Sequence, residues 1–168
     1  MTAAVIMTTP IKNAQFFMCN KSKLVDLIFE IKPYFSEIIL ISDRPSSYLP
    51  YVKDSARILT PYYKGNSQLA SLYTALSLSS SENVWLLHEK MQVPDIQLFS
   101  KIKALKDRKN SPAVIFDQKD KESLLYSMFD KRVINDLNKI LTIKNHTIEQ
   151  FINQITYTDF TISEPYVK

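Results

Sequence analysis

The sequence predicts a three-layer α/β/α sandwich, read as a single domain over residues 1–168 around a mostly parallel sheet. Two patterns and one count predict it. Short apolar runs of strand length alternate with longer stretches of helical periodicity, the order of parallel strands joined by crossover helices. The run "NVWLLH" (83–88) is apolar at consecutive positions rather than alternate ones, as in a strand covered on both faces. The chain has 168 residues, 45% of them hydrophobic and 23% charged, which suffices for one domain with its own core.

Each element has a local reason. "AAVIM" (3–7) is a first strand, broken by Thr8, Thr9 and Pro10. "KSKLVDLIFEIKPYF" (21–35) sets Leu24, Leu27, Ile28 and Ile31 on one helical face and meets Pro33 near its end. "EIILIS" (37–42) is a second strand, closed by "DRPSS", and "ARILT" (56–60) a third. "NSQLASLYTALSLSSS" then carries Leu69, Leu72, Ala75 and Leu76 at helical spacing, with Asn66 or Ser67 as the N-cap. After the fourth strand comes a helix, "PDIQLFSKIKALKDR", with Pro94 at its start. "PAVIFD" is a fifth strand, and "ESLLYSMF" is read as another. "DKRVINDLNKIL" turns Val133, Leu137, Ile140 and Leu141 inward, "TIEQFINQI" is a short helix, and "DFTIS" closes the chain as a strand. No internal repeat, low-complexity stretch or linker divides it.

Composition removes several classes of function. The net charge is +4, and the basic residues are dispersed, which argues against a nucleic-acid partner. Lys101, Lys103, Lys106, Arg108 and Lys109 fall at helical spacing and are expected on a solvated face. Cys19 is the only cysteine, so no intramolecular disulfide is available, and packing is its expected role. No apolar run reaches the roughly 20 residues of a membrane span. "MTAAVIM" lacks the basic start of a secretion signal, and a cytoplasmic protein is expected. Gly65 is the only glycine, where about 7% would be average. A Gly-rich phosphate-cradling loop is therefore excluded by composition.

Three stretches, in order, resemble the molybdenum cofactor guanylyltransferase family. In "NSQLASLYTAL", residues Ser67, Gln68, Leu69, Ala70, Ser71 and Leu72 fall on the family's G-P-L-A-G-I, with Gly65 on a glycine that often precedes it. In "VWLLHEKMQVP", His88, Glu89, Lys90, Met91 and Gln92 fall on A-C-D-M-P. "ESLLYSMFDKRVINDLNKIL" resembles Q-P-L-F-A-L-Y and its following helix. "AAVIM" stands where the family has A-V-I-L-A-G-G, and Asn20 falls near a later loop glycine, consistent with a left-handed turn. The resemblance covers residues 3–141. It implies a Rossmann-like sheet of the glycosyltransferase-A and nucleotidyltransferase type, with ligands bound at the carboxyl ends of the strands.

The family's devices are altered here. Where the resemblance puts the family's loop glycines, this chain has Thr8, Thr9 or Pro10, residues that block or withhold backbone approach to a phosphate. By the same resemblance the loop is shorter than the family's. Gln15 lies near the position of the loop lysine, and Lys12 is the remaining loop cation. The resemblance places the family's magnesium-binding aspartate at Lys90, and an ammonium there repels a divalent ion. Two roles for Lys90 stay open: direct capture of a phosphate or other anion, or a solvated strand-end lysine. Glu89 and Asp43 are candidate acids, Glu89 only if the strand has ended by then, because strand neighbours face opposite ways. Asp43 is otherwise a turn cap. His88 and His146 stand far apart in sequence, and no metal site is expected. Tyr48, Tyr51, Tyr62 and Tyr63 would line a base pocket, present a partner surface or cover the sheet edge.

The candidate anion- or nucleotide-binding set is thus Thr8, Thr9, Lys12, Ser67, Gln68, Leu69 and Lys90. No catalytic residue is assigned. Three functions compete: a degenerate relative that binds a nucleotide or protein partner without transferring nucleotides, a divergent transferase using GTP or CTP with magnesium in molybdenum cofactor synthesis, or an assembly protein using the old cleft face. Composition does not indicate an oligomeric state.

Overall fold

The computed structural model of the chain describes residues 1–8, 14–65, 67–91, 93–116 and 123–161, with 14–21 described by backbone alone. The strands are β1 (Thr2–Met7), β2 (Glu37–Ile41), β3 (Arg57–Leu59), β4 (Asn83–His88), β5 (Ala113–Phe116), β6 (Met128–Asp130) and β7 (Thr158–Phe160). The helices are α1 (Ala14–Ile31), α2 (Leu49–Val52), α3 (Gln68–Leu78), α4 (Ile96–Lys109), α5 (Ile134–Leu141) and α6 (Ile148–Gln154). One sheet runs in the order β3-β2-β1-β4-β6-β5-β7. All its neighbours are parallel except those of β6, which is antiparallel to both β4 and β5. Chain order reverses between β1 and β4, which pair in register from Thr2↔Asn83 to Met7↔His88.

Two apolar layers flank the sheet. Ala3, Val5, Met7, Val84 and Leu86 face α3, α5 and α6. Ala4, Ile6, Trp85 and Leu87 face α1 and α4. Because every residue of β1 is buried, the consecutive apolar pattern is that of a strand with no solvent face. Trp85 anchors the second layer. Its ring stacks on Phe35 at 5.8 Å, packs on Phe99 at 5.2 Å and donates Nε1–H to the Tyr126 carbonyl at 2.6 Å.

The helix ends follow from their sequences. Ser67 Oγ accepts from Ala70 N–H to start α3, and Asp95 Oδ1 accepts from Gln97 N–H to start α4. Thr147 and Gln150 form a reciprocal capping box on α6. Asn110, left-handed at φ 46°, ψ 38°, ends α4 where other chains place glycine.

The structure corrects four local expectations. α1 begins at Ala14, well before Lys21, and Asn20 is helical rather than in a left-handed turn. "ESLLYSMF" is not a strand throughout: Leu124–Ser127 form a turn with Tyr126 at φ 61°, and β6 starts at Met128. Residues 131–133 are a 3-10 turn, since Asp130 Oδ1 captures Arg132 N–H and delays α5 to Ile134. Lys106 is not on the solvated face. It is 5% exposed, and its Nζ donates to Asp130 Oδ2 at 2.7 Å. Helical spacing alone could not separate it from Lys103, which pairs with Asp107 in solvent.

Candidate functional site at the carboxyl edge of the central strands

The site is built on the edge where β1, β2 and β4 end and α3 begins. Thr8 continues β1. Both its N–H and its hydroxyl donate to the Ile41 carbonyl at 3.1 Å, which fastens β1 to the end of β2 and leaves the side chain 5% exposed. Thr9 and Lys12 lie outside the described residues, as do Asn66 and Gln92. Asp43 follows β2 and is exposed. The hydroxyl that accepts from Arg44 N–H belongs to Ser42, not Asp43, so Ser42 is the cap of that turn.

The start of α3 closes a second side. Ser67 caps the helix, and Leu69 is buried at 1% exposure beneath it. Gln68 reaches across to the connection before β6, its Oε1 accepting from Leu124 N–H at 2.8 Å. That connection is fixed in turn to β4 by Tyr126 N–H to the Leu86 carbonyl and Leu86 N–H to the Ser127 carbonyl. Ser127 Oγ accepts from Phe116 N–H. The start of α3 at Ser67 and Gln68 is therefore braced, through residues 124–127, onto β4 at Leu86.

The end of β4 sorts its side chains by layer. Trp85 and Leu87 face α1 and α4, and Glu89 keeps that alternation although β4 ends at His88. Glu89 is 4% exposed, its N–H donates to the Met7 carbonyl, and its Oε2 accepts from the Tyr48 hydroxyl at 3.0 Å. Burial pushes the Tyr48 phenol pKa well up, and the negative charges of Glu89 and Asp43 push it further. Tyr48 therefore stays protonated and acts as a donor to Glu89.

Lys90 is exposed in the turn that follows. Its N–H donates to His88 Nδ1 at 3.2 Å. His88 N–H donates to Met91 Sδ at 2.9 Å, and Met91 N–H returns to the His88 carbonyl. Burial lowers the His88 pKa; the Glu89 charge opposes this and the Lys90 charge adds to it, leaving a net fall. The imidazole is neutral at pH 7.

The four tyrosines do not line one pocket. Tyr48 is buried in the layer of α1 and α4. Tyr63 packs on the opposite layer, edge-on to Tyr73 at 5.3 Å, and its hydroxyl donates to Asn138 Oδ1. Tyr62 also meets Tyr73 edge-on but is 68% exposed, and its N–H is held by Thr74 Oγ1. Tyr51 is exposed on α2. Closeness in sequence concealed that β3 separates the pairs. His146 lies in the turn between α5 and α6, its Nδ1 against the Ile143 carbonyl, and no contact joins it to His88. Among the described residues, no group of three or more His, Cys, Asp or Glu side chains could hold a metal, and no helix is long and apolar enough to cross a membrane.

The Tyr48–Glu89 pair is the feature that sequence reasoning missed. The visible signal was a glutamate at the end of a strand whose even-spaced partners Trp85 and Leu87 are apolar, which points it into the core and requires a donor there.

Comparison with solved structures places this fold. The chain superposes on the molybdopterin-guanine dinucleotide biosynthesis protein A of Archaeoglobus fulgidus with a TM-score of 0.74 at 12% identity, covering 96% of this chain and 83% of that one. It matches the 4-diphosphocytidyl-2C-methyl-D-erythritol synthase of Anaerococcus prevotii with a TM-score of 0.67 at 15% identity, covering 96% and 86%. A nucleotidyl transferase of Methanothermobacter matches with a TM-score of 0.65 at 9% identity, covering 98% and 88%. The chain therefore has a nucleotidyltransferase-like α/β fold similar to that of the molybdopterin-guanine dinucleotide protein. No protein-family model matches the sequence, and no curated protein matches it.

Proposed function

We propose that this chain is a degenerate relative of the nucleotidyltransferases it resembles in fold: it binds a nucleotide-class anion at the carboxyl edge of β1 and β4 and does not carry out metal-dependent nucleotidyl transfer. The observation that carries this reading is the sorting of side chains at the end of β4. Glu89 is buried against Tyr48, and Lys90 is exposed at the position where the resemblance puts the magnesium acid. A magnesium-dependent transferase needs carboxylate oxygens beside the triphosphate, so that the metal neutralises the charge that develops. A lysine ammonium repels the metal and attracts the phosphate directly. The neutral His88 ring and the N-terminus of α3 border the same edge and suit an anion.

Calorimetric titration with GTP, CTP, ATP and UTP, each with and without magnesium, tests the reading, alongside pyrophosphate release in the presence of molybdopterin. Binding that magnesium does not strengthen, with no pyrophosphate released, is the expected result. Magnesium-dependent pyrophosphate release overturns it.

A second reading keeps the activity. It is favoured by the placement of two carboxylates, Glu89 and Asp43, within electrostatic reach of the one Tyr48 hydroxyl. With both turned to a metal, the chain would be a divergent transferase using GTP or CTP in molybdenum cofactor synthesis. That reading requires magnesium-dependent nucleotide affinity that is lost in Glu89→Gln.

A further inference from the structure

The turn that ends β4 dictates which nitrogen of His88 carries its proton. Lys90 N–H points at Nδ1, so Nδ1 is the acceptor. In a neutral imidazole one nitrogen accepts and the other donates, which leaves the proton on Nε2. Protonating Nδ1 would set one N–H against another and break the bond that shapes the turn. The His88 main chain is also engaged, its N–H by Met91 Sδ and its carbonyl by Met91 N–H. The main chain of His88 is therefore fixed by Met91 and its ring by the Lys90 N–H; the ring is half-buried, with Nδ1 spent on the turn and Nε2 left as its donor nitrogen.

We propose that His88 is a ligand-contacting residue that acts as a fixed neutral donor, offering Nε2–H to a phosphate oxygen at the edge of β4. This deepens the anion-binding reading and rests on it. The geometry excludes the two other uses of a histidine here through Nδ1. It is not a base on that side, because its lone pair is already taken by Lys90 N–H, and it is not an Nδ1 metal ligand for the same reason. A neutral donor next to a lysine recognises phosphate without adding a second cation. It selects ligands by an oxygen at a fixed place, whereas Lys90 contributes charge.

The test has two arms. Long-range ¹H–¹⁵N correlation of the ligand-free protein at neutral pH reads the tautomer directly. A single Nε2–H form is expected, and a protonated Nδ1 or a mixture of tautomers overturns the proposal. The second arm uses inorganic pyrophosphate as probe. Glutamine places an amide donor near the Nε2 position, and asparagine places an acceptor near the Nδ1 position. His88→Gln is expected to bind pyrophosphate within about threefold of the parent, and His88→Asn to bind about tenfold more weakly, the loss of roughly one hydrogen bond. Equal affinities in the two variants, or the reverse order, overturn the proposal while leaving the anion-binding reading in place. If pyrophosphate shifts no backbone amide of the parent protein, the anion-binding reading itself falls, and this role falls with it.

Discussion

The Tyr48 hydroxyl donates to Glu89 Oε2 at 3.0 Å across 41 residues of sequence, and both side chains are almost wholly buried. The bond ties the connection between β2 and β3 to the residue that follows β4. A buried carboxylate that loses a donor is left with part of its desolvation uncompensated. Tyr48→Phe keeps the ring volume and removes that donor. It is expected to lower the unfolding free energy by about 1–3 kcal/mol. Glu89→Gln keeps an acceptor oxygen for Tyr48 and is expected to cost less. Urea melts of the two variants provide the measurement, and a Tyr48→Phe variant as stable as the parent would show that the bond contributes nothing.

At the opposite edge of the sheet, Asp130 holds Lys106 and Arg132 together. Burial raises its pKa, but the hydrogen bonds from Arg132 and Lys106 outweigh this, so the net shift is downward from 3.8. A depressed carboxylate stabilises the folded state above its unfolded pKa, and that contribution disappears as pH falls below about 4 and through the folded value. Removing one partner of a buried pair costs about 3–5 kcal/mol, and the Arg132 contact that remains puts Lys106→Met near the low end. Stability measured from pH 7 to pH 3 is expected to fall in the parent and to fall less in Lys106→Met. Parallel pH profiles would show that the pair does not control the acid transition.

Much of this architecture was legible from periodicity. The apolar runs 3–7, 38–41 and 84–87 form the buried lengths of β1, β2 and β4, and both faces of each are covered. Ser67 was readable as a cap because a serine ahead of an apolar helical stripe has one orphan N–H to satisfy. The antiparallel β6 was not legible. Leu124 and Leu125 look like strand residues, but Tyr126 turns left-handed where Trp85 and Leu86 fix its carbonyl and N–H, a purely tertiary constraint. Lys106 was misplaced for a similar reason, since its partner Asp130 lies in a strand that the local sequence obscures. At the site, the sequence marked the end of β4 and the loss of the family's acid. It did not show that Glu89 turns inward or that His88 and Lys90 share a hydrogen bond, because both depend on where the strand stops.

Lys53 illustrates the cost of a chain with a single glycine. It sits at φ 43°, ψ −125°, a conformation that crowds a Cβ, and it is exposed after α2. Lys53→Gly relieves that strain and is expected to raise stability by about 0.5–1 kcal/mol after the extra entropy lost by glycine. Asn110 makes the contrast: it is left-handed too, but asparagine tolerates that region, and its N–H already closes α4 onto the Asp107 and Lys106 carbonyls. Asn110→Ala is expected to destabilise by about 1 kcal/mol. Thermal melts of the two variants should move in opposite directions, and a Lys53→Gly melt below that of the parent would show that no strain is stored there.

Lys90 gives the anion-binding reading its most direct handle. An exposed ammonium next to a phosphate is screened, so its contribution is far below the buried Coulomb limit, at about 1 kcal/mol in physiological salt. Lys90→Met is therefore expected to weaken pyrophosphate binding about fivefold, and Lys90→Glu about tenfold or more, since repulsion replaces attraction. The difference should shrink as sodium chloride is raised, because screening acts on the charge and not on the His88 donor. Lys109, at the far end of α4, is the control, and Lys109→Met should leave the affinity unchanged. If Lys90→Glu binds as tightly as the parent at low salt, the lysine at the end of β4 is a solvated side chain with no part in ligand capture.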